Sequence, residues 1–103
     1  MKIPEKIKIG GHWITVEKVG DKELESDLGS FNNWYQYIRI NENDTAENLQ
    51  AETFLHEIFE AIKKKFEIKI KHQDLTILSE LLFQVIIDNK LDFKTIKTKG
   101  EEK

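Results

Sequence analysis

Residues 54–62 read FLHEIFEAI. His56 is followed at once by Glu57 and, four residues on, by Glu60. Successive residues of an α-helix lie about 100° apart, so His56 and Glu60 project from one side, one turn apart. Two ligands at i and i+4 on the margin of an apolar face are what a helix-borne metal site requires. Glu57 points about 100° further round. A glutamate in that place stays off the metal and takes a proton from a water whose pKa the cation has lowered towards ~7.

A catalytic zinc takes three protein ligands and leaves its fourth position to water. The chain has three histidines, at 12, 56 and 72, and no cysteine, so thiolate sites and a disulfide framework are excluded. His72 stands where the extended piece EIKIK meets a second helical segment. If the two helices pack antiparallel, that junction returns towards the first. His56, Glu60 and His72 would then supply two imidazoles and one carboxylate, the ligand set of an HExxH site with a distant glutamate, permuted between positions. A purely structural site would close with a fourth ligand, from Glu80 or Asp74. A plainer reading competes with all of these. Glu60 and Lys64 form an i, i+4 pair in the favourable order for a surface ion pair, Glu57 with Ala61 and Lys64 makes a solvated face, and His56 is a boundary histidine. His12, beside Gly11 and Trp13, reads as structural.

The elements that must position these groups follow from periodicity. In residues 5–19, Ile7 and Ile9 alternate with lysines, and Trp13, Thr15 and Glu17 alternate with Ile14 and Val16 around Gly10-Gly11. That pattern predicts a β-hairpin. Gly20 to Asn33 reads as loop. WYQYIRI, residues 34–40, is rich in aromatic and β-branched residues and predicts a strand, with Trp34, Gln36, Ile38 and Ile40 on one face. Asp44 or Thr45 is placed to cap a helix running from Ala46 to about Phe66. Its apolar face is expected along Leu55, Ile58, Phe59, Ile62 and Phe66. A second helix is expected over residues 73–89, and because LTILSELLFQVII is apolar on most sides it should be central and largely buried. Strands followed by helices predict an α+β domain, with a small three-stranded antiparallel sheet covering two packed helices. The domain is expected over residues 1–90, with 91–103 as a polar tail.

Composition narrows the classes of function. A chain of 103 residues is one domain, and 34% charged with 39% hydrophobic residues is the balance of a soluble protein. The net charge of −3 gives no electrostatic case for a nucleic-acid partner. Lys63, Lys64 and Lys65 end the first helix, where cations complement its dipole. No window approaches the ~20 apolar residues of a membrane span, so a cytoplasmic location without membrane contact is expected. The oligomeric state is left open.

The order IGGHWITVEKV, LGSFNNWYQYIRIN, ETFLHEIFEAI and KIKHQDLTILSELLFQVIIDN resembles a group of small phage and prophage proteins that look like minimal zincin-type metallopeptidases. The resemblance covers roughly residues 7–90 and is most specific in the two helices, which in that group carry LHEIxHAI or LHEIxEAI and an ending such as YQVLxDN. It implies a truncated zincin fold. His56, Glu57 and Glu60 match its metal-binding helix, with zinc as cofactor, and His72 matches a position that supplies a further acidic or histidine ligand. Glu60 stands where histidine is commoner. The implied activity is peptide-bond hydrolysis with Glu57 as general base. The alternative is a catalytically inactive zincin-like scaffold that binds a host or phage protein, with or without a structural metal. The aromatic strand is implied to be an edge that pairs with an extended substrate, and Tyr35 or Tyr37 is a candidate hydrogen-bond donor to a developing oxyanion.

Overall fold

The computed structural model describes residues 2–24, 27–43 and 45–92. Four strands, one short helix and two long helices follow in the order β1 (Lys6–Ile9), β2 (His12–Val19), α1 (Asp21–Leu24), β3 (Gly29–Asn32), β4 (Tyr37–Asn41), α2 (Glu47–Lys65) and α3 (His72–Asp88). The α+β class agrees with the sequence. The sheet does not: it is four-stranded and mixed, in the order β1-β2-β4-β3.

The hairpin forms as its glycines require. Gly10 takes φ +59°, Ile9 pairs with His12, and β1 runs antiparallel to β2. The positive φ is what calls for glycine there; a Cβ on Gly10 would also lie 2.8 Å from Cζ of the exposed Phe66 ring, which would have to shift. From β2 the chain turns through α1, descends β3 at the far edge, and climbs β4 into the space between. β4 therefore pairs parallel with β2, Val16 opposite Ile38, and antiparallel with β3, Phe31 opposite Ile38. A parallel neighbour needs a long crossover. Here α1 and β3 provide it, in the segment expected to be loop. The expected strand at 34–40 is shortened and shifted, because Trp34 and Tyr35 lie in a turn in which both backbone N–H groups donate to Asn32 Oδ1 at 2.9 Å.

One face of the sheet is covered. Ile14, Ile38 and Ile40 are fully buried and join Ile9, Val16, Phe54 and Ala61 in one core. On the open face, Lys6 and Lys8 lie over Trp13, and Arg39 stacks 4.1 Å from the Tyr37 ring centre and 3.8 Å from Glu17. This is the half-wetted antiparallel pattern, carried across a parallel seam.

α2 lies on β3 and β4, and α3 packs on α2, so α2 is the middle layer. Its cap differs from the expected one. Ala46 is the N-cap with no side-chain bond, while Thr45 Oγ1 donates to the Asn41 carbonyl and Gln50 reaches back to Thr45. Asp44 lies outside the described residues. The most buried line of α2 runs through Gln50, Phe54, Glu57 and Ala61; of the expected apolar face, Ile58 and Ile62 are half-buried against the core, Leu55 and Phe59 are half-buried, and Phe66 is exposed. α3 departs further from expectation. It buries Leu75 and Ser79 and leaves Ile77, Leu78, Leu81, Leu82 and Val85 exposed, so it is peripheral rather than central. Residues 93–103 of the expected tail lie outside the described residues. None of the described helices is long and apolar enough to cross a membrane.

Candidate metal centre

α2 brings His56, Glu57 and Glu60 onto the side of the helix that faces a groove between β3, α2 and α3. What returns His72 to them is the end of α2. Phe66 donates to Ile62, Glu67 enters the left-handed region at φ +54°, and the Ile68 N–H donates to the Lys63 carbonyl at 3.0 Å. That six-to-one bond with a left-handed residue is the Schellman closure of a helix, and it reverses the chain. EIKIK then leads to His72, the first residue of α3.

The three expected ligands converge. One ligand atom from each of His56, Glu60 and His72 lies within 4.8 Å of the other two. His72 Nδ1 is 3.4 Å from Glu60 Oε2, and the two imidazoles meet edge to face with centres 5.3 Å apart. Glu60 is therefore partnered with His72, and no ion pair joins it to Lys64. Its other oxygen, Oε1, is buried and has no hydrogen-bond partner among the described residues. An orphaned carboxylate oxygen beside two imidazoles fits a divalent cation, which would satisfy it. The state of His56 fits as well. Burial, the largest influence, holds its pKa below 6.5; Glu60 and Glu80 act upward and His72 downward. The neutral ring is the form that ligates.

Glu57 is not on a solvated face. It is buried at 7% exposure, against the edge strand, where a Cβ added to Gly29 would meet its Cγ at 3.4 Å and the Thr53 methyl at 2.6 Å. Gly29 is what lets α2 approach the sheet so closely. Burial first, then the nearby charges of Glu60 and Asp27, push the Glu57 carboxyl up to about 7. A carboxyl poised there can take and return a proton at neutral pH.

Other candidates separate. Glu80 lines the same groove but is outside the converging trio, and Asp74 is exposed away from it. His12 is exposed at the hairpin. Tyr35 is 72% exposed on the turn, and Tyr37 holds Arg39 and receives a hydrogen bond from Asn32 Nδ2 at 3.3 Å. Neither tyrosine lines the groove. Nor is β4 an edge; it is interior, and the strand beside the groove is β3. Leu28, Gly29, Ser30 and Phe31 are thus site residues that periodicity missed. GSFN has one apolar side chain and no alternation, and the glycine was its only signal. Comparison of the chain with models of protein families, with curated proteins and with solved structures finds no match.

Proposed function

We propose that the protein is a minimal zincin-like peptidase, holding zinc through His56, Glu60 and His72 and acting on an extended peptide in the groove along β3. The observation that carries this reading is the convergence of the trio beside the buried carboxyl of Glu57. Two imidazoles and one carboxylate leave a position open, and zinc bound there would supply Lewis acidity and lower the pKa of a coordinated water. The Glu57 carboxylate takes the proton of the attacking water and delivers it to the departing amine nitrogen. Among the described residues β3 pairs with β4 on one side only, which leaves its outer backbone groups to align a substrate strand. Zinc titration of metal-free protein, with hydrolysis of an unfolded protein substrate, tests this. One bound zinc is expected, with hydrolysis lost in Glu57→Gln while zinc is retained. Failure to bind zinc, or full activity in Glu57→Gln, overturns it. Zinc binding with no hydrolysis in the wild type favours the scaffold reading instead, for which the turn carrying Trp34 and Tyr35, 85% and 72% exposed, offers a contact surface.

A further inference from the structure

α3 carries a second feature that is independent of the metal reading. Ile77, Leu78, Leu81, Leu82 and Val85 are 47, 52, 56, 39 and 41% exposed. At about 100° per residue they occupy one side of the helix, while Leu75 and Ser79 face α2. A run of large apolar side chains in water is the inverse of ordinary burial. These five expose on the order of 450 Å², within the roughly 300–600 Å² of a monomer's largest apolar patch, which is often a functional one.

We propose that this stripe is the interface of a symmetric homodimer in which α3 pairs antiparallel with α3 of a second copy. The stripe is nearly symmetric about Leu81. Ile77 and Val85 lie four residues to either side, and Asp74 and Asp88 lie seven to either side. A two-fold axis at Leu81 sets Leu81 against its counterpart and Ile77 against Val85, which is the isologous contact of a closed dimer. Two stripes supply about 900 Å² of apolar surface, and their polar rims are needed to bring the contact to the ~1,200 Å² at which specific interfaces begin. The pairing sets Asp74 of one copy opposite Asp88 of the other at each end of the stripe, a like-charge contact that water at the ends screens and that Lys71, within one turn of Asp88 of the other copy, offsets. Antiparallel helices also oppose their dipoles favourably. His72 and Glu80 project from other sides of α3, so the pairing leaves the groove open.

Sedimentation of the full chain from micromolar to submillimolar concentration tests the proposal. The mass should move from one copy to two, and no further. Leu81→Lys and Leu81→Glu, both at an exposed position, should each raise the dissociation constant at least a hundredfold with unchanged circular dichroism. Mixing the two variants should restore a dimer, because lysine then faces glutamate across the axis. A monomer at every concentration overturns the proposal. So does a wild-type dimer that either variant leaves intact, or a mixture of variants that stays monomeric.

Discussion

α2 and α3 are nearly equal in length, 19 and 17 residues, and opposite in habit. α2 buries polar groups, Gln50, Thr53 and Glu57, while α3 exposes Ile77, Leu78 and Leu81. Each breaks the usual partition, and each break points outward from the fold. A polar group is withdrawn from water at a cost, and the cost is tolerated where the group has chemistry to do. An apolar row is left in water when another surface is to cover it. The middle layer thus carries the candidate site, and the outer layer the candidate contact.

The largest way to sharpen this contrast is in the core. Ile38 is fully buried beneath α2, so Ile38→Ala should cost about 2–5 kcal/mol in denaturant unfolding. Leu81→Ala, at dilutions that keep single copies, should change stability by less than about 0.5 kcal/mol. Comparable losses at both positions would show that α3 belongs to the core after all. Next is the carboxyl on α2. With a folded pKa of about 7 against an ordinary 4.5, Glu57 keeps its proton in the folded state after the unfolded chain has released it. Stability of the metal-free protein should therefore fall as pH rises from 4.5 to 7 and level off above, by on the order of 3 kcal/mol. Unfolding midpoints of Glu57→Gln measured in chelator should lack that slope; an identical slope would assign it to other groups. The smallest effect tests how the helices share the site. His72→Ala, which removes the one member of the candidate trio on α3, should weaken zinc binding about a hundredfold while leaving the unfolding midpoint of the metal-free protein nearly unchanged. Undiminished affinity would confine the metal to α2.

Much of this was legible in the residues. The hairpin followed from Gly10-Gly11 and its flanking alternation, and both long helices lie within about two residues of their expected bounds. The meeting of His56, Glu60 and His72 was legible on one condition, that the two helices pack antiparallel and so return His72 towards the first. Three things were legible in part or not at all. β3 is too short and too polar to show a period of two, and without it neither the parallel seam nor the true edge of the sheet could be seen. The buried side of α2 was legible only in part: Ile58 and Ile62 pack against the core as expected, but apolarity could not mark Glu57 and Gln50, which are drawn in by Gly29 and Thr45. For α3, an apolar sequence states that something covers it without stating what. The sheet was expected to do so, and α2 stands between.

His72 opens α3 and Leu81 lies at its middle, so a single rigid rod joins the candidate ion site to the candidate contact between copies. Linkage makes that arrangement reciprocal. If zinc steadies the start of α3 and so tightens the pairing of two chains by some factor, pairing must tighten zinc by the same factor. The saturation curve would then depend on protein concentration, and two subunits would load more readily than one.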